Sequence, residues 1–534
     1  MVNGPSRTAR SSTAGHIAFA GSALTKGVRC STVASMSDPS RLTRGTLPVN
    51  YRSVDPGSPA GIVHLGLGNF HRAHQAVYTA RALKIEPGPW GIHAFGNRSR
   101  SVVDAMREQE QLYAVLEISP RGRGVSVPGV HTRTDVAGSN PSAVIDAIAA
   151  SSTRIVTLTV TEHGYTYSPA TQDLDLSAES IQRDLARTES PLTTVGQIAT
   201  GLARRFTSGG DPVTVLSCDN LGNNGNNGNN GTLLRRLVTT FATNGSTPSP
   251  MEFMDWLTEH VSFPSTMVDR IVPATSDAHR ATTEELLGVH DAVPVPAEPF
   301  SMWVLQDHFV AGRPSWDRAG AIFTDDVEAY ELLKLRLLNG THSLIAYLGV
   351  LAGARTIPEA IGVPYIEAAA RKLMRDEYLP TVRVPDVVDA EAYMEDLFNR
   401  FSNTELGHRT TQVASDGSQK LPQRVTQPAL SHCERGDVPQ LICLTVAVYL
   451  ACVAPSSGQP SSLAQEIDDP LRTTLEQHAA AATNPRARVD SAFDGISLLP
   501  QRLTEISAFR QRVVELLEIV ELRGVEAAVG EAMQ

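Results

Sequence analysis

The chain has 534 residues, 41% of them hydrophobic, enough for two to four domains at roughly 100–200 residues each. Its 46 Lys and Arg against 57 Asp and Glu give a formal net charge of -11, which excludes a general nucleic-acid binder because that would need a basic stripe. No run reaches the ~18 consecutive apolar residues of a membrane span, and five cysteines without a disulfide framework or a CxxC pair point to a soluble protein of a reducing compartment, the cytoplasm.

Residues 1–35 carry Arg7, Arg10, Lys26 and Arg29 among many Ser, Thr, Gly and Ala, with no acid. Met36 would serve well as a start, so this segment is read as a disordered extension or a misplaced initiator. Between residues 61 and 273 short β-rich runs are predicted at Ile62–Leu65, Gly91–Phe95, Leu112–Ile118, Arg154–Thr161, Pro212–Ser217 and Met267–Val272. Helical runs fall between them at His71–Leu83, Ser142–Ala150, Ser177–Arg187, Thr193–Phe206 and Thr232–Ala242. That alternation implies βαβ units and a mainly parallel sheet, an α/β fold. From about Asp325 the pattern turns helical, with Val327–Leu351, Tyr365–Leu379, Ala390–Phe401, Val438–Val453 and Ile506–Met533 as the long stretches. The segment "GNNGNNGNNG", Gly222–Gly231, is low-complexity and reads as a flexible loop with no core of its own.

Three constellations can carry chemistry. In "GIVHLGLGNFHRAHQA" an apolar strand runs into Gly66-Leu67-Gly68 and then a helix, the context a dinucleotide site requires. Gly66 permits the tight turn and Gly68 a close approach of backbone to a pyrophosphate, with Asn69 and Phe70 opening the helix. His71 stands where the third glycine of the fingerprint belongs, which leaves an ordinary Gly-rich turn as the alternative. The second constellation is Lys334, Asn339 and His342 in "KLRLLNGTH". At about 100° per residue, Asn339 lies about 140° and His342 about 80° round a helix from Lys334. A desolvated Lys can serve as a general base while an Asn amide stabilises an alkoxide; the plainer alternative is a solvated Lys with a packing Asn and a core His. Third, strands ending in "SCDN" and "TVTEHGY" place Asn220 and Glu162 at the carboxyl edge of the sheet, where ligands bind. Asp219 can instead cap a turn, and Glu162 can be a structural ion-pair partner.

These blocks, together with "FPSTMVDRIVP" and "DGSQKLPQR", resemble the polyol-specific long-chain dehydrogenases, which comprise mannitol 2-dehydrogenases, fructuronate reductases and relatives. The resemblance implies a dinucleotide-binding Rossmann-like domain over 36–324, a helical substrate-binding domain over 325–534, a nicotinamide cofactor and no metal. It further implies Lys334 as general base, Asn339 and Asn220 as the amides holding the reacting oxygen, His342 as a substrate-positioning group and Glu162 near a proton-release route. Asp269 is expected close to the polyol hydroxyls, with Arg409 and Lys420 in the region of further substrate contacts. The implied reaction is D-mannitol with NAD to D-fructose with NADH. Fructuronate or tagaturonate reduction, or a non-catalytic sugar or nucleotide sensor, are the alternatives. "GIHAF" ends in Gly96-Asn97-Arg98-Ser99-Arg100 with no acid to repel a 2′-phosphate, so Asn97 is expected at the adenosine ribose, Arg98 or Arg100 can pair with a 2′-phosphate or equally be a solvated arginine opening the next helix, and NADP is expected to be accepted beside NAD.

Overall fold

A computed structural model describes residues 39–51, 54–55, 57, 59–97, 99–187, 189–221, 229–455 and 461–534. The expectations for residues 1–35 and for Arg98 lie outside the described residues, as does the first part of the Asn/Gly repeat.

Six strands form a wholly parallel sheet: β1 (Ile62–Leu65), β2 (Ile92–Gly96), β3 (His131–Val136), β4 (Ile155–Leu158), β5 (Val213–Ser217) and β6 (Val261–Ser262). Their spatial order is β3-β2-β1-β4-β5-β6. In register, Ile62 faces Ile92 on one side and Ile155 on the other. Every residue of β1, β4 and β5 is buried, as expected where helices cover both faces of a parallel sheet. One face packs Ala76, Val77, Leu83 and Met106, the other Val144, Ile198, Leu234 and Val238. The chain reverses direction across the sheet between β1 and β4, so a crevice opens beyond their carboxyl ends.

Three expectations about the elements need correction. Leu112–Ile118 is not a strand of the main sheet; Val115–Ser119 instead pairs with Gly122–Ser126 and Val295–Ala297 in a separate three-stranded sheet. The place in the main sheet is taken by β3, whose sequence HTRTDV is too polar to signal a buried strand. Likewise the Asn/Gly repeat is not loop to its end. Asn229 caps the helix α2 (Asn230–Asn244), and Asn230 and Gly231 are buried.

The expected strand Met267–Val272 also lies outside the main sheet: β7 (Thr266–Asp269) pairs antiparallel with β8 (Met302–Leu305), and with β9 (Ile322–Phe323) they form a further three-stranded sheet that leads into the helical half. There α3 (Val327–Leu333) passes through a π-helical turn, Lys334–Gly340, into α4 (Thr341–Ala352). The helices α5 (Ala390–Phe401), α6 (Gly417–Glu434) and α7 (Gln440–Val453) follow. Residues Leu441–Val453 of α7 are all buried, so this apolar run is the centre of the helical core. No helix among the described residues is long and apolar enough to cross a membrane.

Candidate active site

The Gly-x-Gly turn lies where β1 leaves the sheet. Gly66 has φ +102°, and a Cβ there would meet the Thr159 carbonyl oxygen at 2.0 Å, so no other residue fits. Its N–H and that of Leu67 both donate to Phe95 O, at 2.9 and 3.0 Å. At Gly68 a Cβ would meet only Gly66 O at 3.8 Å. The space above Gly68 is therefore open to a ligand, and the turn fits a dinucleotide pyrophosphate. The helix that follows is short: α1 (Asn69–Ala73) stops at His74 before a second helix, Gln75–Ile85, resumes. Asn69 accepts from Arg72 Nη2 at 2.6 Å and donates to Thr275, while Phe70 stacks on His74 with ring centroids 5.0 Å apart.

His71, in place of the third glycine, stacks on His64 at 3.4 Å and meets His131 Nε2 at 3.0 Å. Burial holds these rings neutral, pushing both His64 and His131 down to about 3. They are core groups: His64 and His74 are satisfied, the latter by Met302 O, while Nδ1 of His71 and of His131 has no hydrogen-bond partner among the described residues. Asn97 is exposed directly after β2. Asp135 on β3 pairs in register with Phe95, but His93, Arg107 and Arg133 already engage it.

Opposite this edge, a cavity of about 550 Å³ lies between the two halves of the chain. Lys334, Asn339, Asn220, Glu162 and Lys420 all line it. Lys334 is buried, and its Nζ donates to Asn220 Oδ1 at 3.0 Å and to Val268 O at 2.5 Å. Burial holds this amine below its ordinary value, opposed by the nearby charge of Asp269. With Oδ1 of Asn220 committed to Lys334, the amide N–H₂ of Asn220 is left as donor to the cavity.

The π-helical turn explains how Lys334 and Asn339 come to line the same cavity. Bonding between residues five apart brings position 339 nearly over 334, whereas a regular helix would leave them about 140° apart. The sequence missed this because apolar spacing was read with α-helical period. The same shift leaves His342 behind the wall. It is buried against Phe401 and His408, its Nε2 has no hydrogen-bond partner among the described residues, and it does not line the cavity.

Glu162 is not at the end of a buried strand. Past β4 the chain enters a 3₁₀ turn, Glu162–Tyr165, and Glu162 is solvent-exposed at the cavity mouth. Asp219 pins this turn, accepting from Val160 N at 3.0 Å, Thr161 N at 3.1 Å and Tyr165 Oη at 2.7 Å. Asp269 also departs from expectation. It sits below the cavity, with Oδ2 and Oδ1 taking both Arg400 Nη groups at 2.8 and 3.0 Å, and Arg400 continues to Glu298. A carboxylate buried this deeply needs such a partner. Arg409 is exposed and pairs with Glu466, away from the cavity wall.

Among the charged wall residues not singled out from sequence are Glu331, Asp416 and Arg424. Glu331, three residues before Lys334, has its carboxyl raised to about 7 by burial and by Glu328. Arg424 lies one helical turn past Lys420 on α6. It stands in the block "DGSQKLPQR" that carried the resemblance, and the i, i+4 spacing of two cations was the available signal.

A doubly wound parallel sheet with an open Gly-x-Gly turn, facing a buried Lys/Asn pair presented by a helical half, defines a two-part oxidoreductase. Residues 60–318 match the family model "Mannitol dehydrogenase Rossmann domain" and residues 326–520 the "Mannitol dehydrogenase C-terminal domain". The chain is 37% identical to D-mannonate oxidoreductase of Escherichia coli (strain K12), over 81% of this chain and 87% of that one. It is 34% identical to mannitol 2-dehydrogenase of Aspergillus terreus, over 87% and 91%. The structure of Pseudomonas fluorescens mannitol 2-dehydrogenase in ternary complex with NAD and D-mannitol superposes with a TM-score of 0.78 at 31% identity, over 93% of this chain and 97% of that one. The chain belongs to the mannitol dehydrogenase family of oxidoreductases.

Proposed function

We propose that the chain is an NAD-dependent secondary-alcohol dehydrogenase acting on an open-chain sugar alcohol or its sugar-acid counterpart. D-mannitol and D-fructose form the reference pair, and D-mannonate and fructuronate the second. The observation that carries this reading is the buried Lys334 amine at the cavity wall, with two hydrogens directed to Asn220 Oδ1 and Val268 O. Its remaining valence faces the cavity, and in the neutral amine this is a lone pair that can take the proton of a substrate hydroxyl. Asn220 and Asn339 amides then donate to the oxygen as negative charge develops on it. A nicotinamide dinucleotide bound over Gly66 and Gly68 supplies the acceptor for the carbinol hydrogen and its electron pair. Glu331, poised near neutrality on the same wall, is the group suited to pass the proton from Lys334 outward.

Steady-state oxidation of D-mannitol, D-arabinitol and D-mannonate with NAD tests the proposal. Turnover of at least one is expected. Binding of these compounds without turnover of any would instead make the chain a sensor on an enzyme scaffold.

A further inference from the structure

The cations on the cavity wall are not equally provided for. Lys420 Nζ donates to Ser415 O at 2.6 Å and lies 3.6 Å from Asp416 Oδ2. Lys334 has Asn220, Val268 and the nearby charge of Asp269. Arg424 has one side-chain hydrogen bond, Nη1 to Ser343 Oγ at 2.7 Å, and no carboxylate within 4.0 Å among the described residues. The wall's acids are otherwise occupied or distant: Asp219 holds the Thr161–Tyr165 turn, Asp416 faces Lys420 and Glu331 sits beside Lys334. Glu162, at the mouth, is close enough for its charge to be felt at both Lys420 and Arg424 but forms an ion pair with neither among the described residues, and partial burial raises its carboxyl. A guanidinium withdrawn from water is costly unless an anion meets it. Its five N–H donors form a planar fork that matches a carboxylate in two parallel hydrogen bonds.

The bond to Ser343 also fixes where the fork points. Ser343 stands on α4, the continuation of the turn that carries Lys334 and Asn339, so Arg424 is tied to the helix that holds the reacting centre. A substrate with its alcohol at Lys334 thus has Arg424 on the same cavity wall, beside Lys420.

We infer that Arg424 is a specificity-determining residue that receives a substrate carboxylate, so that the preferred substrate is an open-chain hydroxy acid of the sugar-acid class rather than a neutral polyol. This rests on the dehydrogenase reading above and selects within it. The secondary alcohol loses its hydroxyl proton to Lys334 and its carbinol hydrogen, with two electrons, to NAD. A keto acid is left, and the carboxylate is unchanged.

The test compares D-mannonate, its neutral amide D-mannonamide and D-mannitol as substrates of the full chain, with binding of each measured by calorimetry. In the wild type, kcat/KM and affinity are expected to be higher for D-mannonate than for either neutral compound by about thirtyfold or more, the usual effect of removing one partner of a buried charge pair. In Arg424→Gln that advantage should collapse, with D-mannitol turnover far less affected, and Arg424→Lys should restore part of it. Equal or better use of D-mannitol and D-mannonamide by the wild type overturns the inference while leaving the dehydrogenase reading in place. Turnover of none of the three overturns both. A uniform loss for acid and polyol alike in Arg424→Gln would reduce Arg424 to a structural role. The wild-type comparison stands even if the variant fails to fold.

Discussion

Lys334 is a buried amine with the geometry of a base and a proton affinity lowered by its surroundings. Lys334→Ala is expected to lower kcat by about 10²–10⁴-fold. NAD binding, read by fluorescence titration, should survive because Gly66 and Gly68 lie on the other half of the molecule. Near-normal turnover would remove Lys334 from the chemistry. The sign of the pH dependence follows from the same residue. The neutral amine accepts the proton, so kcat/KM for alcohol oxidation rises with pH through the Lys334 titration and then levels off. Because burial holds that titration below the ordinary 10.5, the plateau is expected below pH 10.5. A profile still climbing beyond that pH would contradict it. Asn230 acts at one remove. Its Nδ2 is shared among Ser217 O, Asp219 O and Thr266 O, and its Oδ1 accepts from Thr266 N, which ties the end of β5 bearing Asn220 to the strand bearing Val268. Asn230→Ala strands buried carbonyls and is expected to cost about 1–3 kcal/mol in urea unfolding, with kcat falling as the Asn220–Lys334 contact loosens.

At the scale of elements, the Asn/Gly repeat shows how composition misleads. Three identical units were read as one loop, yet the last supplies the cap, Asn229, and the anchor, Asn230, of α2. Removing any two units leaves the same residual sequence, with a single Asn-Asn-Gly before Thr232. Such a deletion is expected to keep fold and activity, since each doubling of a loop changes closure entropy by only about 0.6 kcal/mol. Selective loss of turnover in a normally folded deletant would assign the repeat a function. Cofactor choice is expected to be set at the exit of β2. Asn97 is exposed and Asp135, the acid on the neighbouring strand, is engaged by two arginines and by His93, whose charged form burial disfavours. NAD is expected to be favoured over NADP by no more than about two powers of ten in kcat/KM, roughly 2.7 kcal/mol. A preference beyond about a thousandfold would mean that another acid serves the ribose.

For the whole molecule, legibility followed the range of the interactions. The sheet could be read from apolar runs such as IVHL and VTVLS because strands buried on both faces must be apolar, and β3 escaped because HTRTDV is not. The helix carrying Lys334 could be read from periodicity, but its π-helical turn could not, since that is a departure from the period itself. Asp269 was expected at the polyol hydroxyls from the family resemblance, and nothing near it in sequence reveals its partner Arg400, 131 residues away. Arg424 was passed over for the converse reason, that a missing counter-ion is visible only when all neighbours are in place. The Asp269–Arg400–Glu298 group joins the two halves through buried charge. Arg400→Leu is expected to cost about 3–5 kcal/mol, because it leaves two carboxylates without their cation. Thermal unfolding checks this, and a loss under 1 kcal/mol would show the contact to be dispensable.

That charged junction bears on what happens when the gene is divided. A piece ending after Phe323 would carry Asp269 and Glu298 with no guanidinium between them, and a piece starting at Val327 would carry Arg400 with nothing to meet. Each fragment would expose a complementary, sticky face, poorly tolerated in isolation but self-addressed when both are made together. The molecule is therefore a natural candidate for split-protein reconstitution, in which recovery of dehydrogenase activity reports the meeting of two chains.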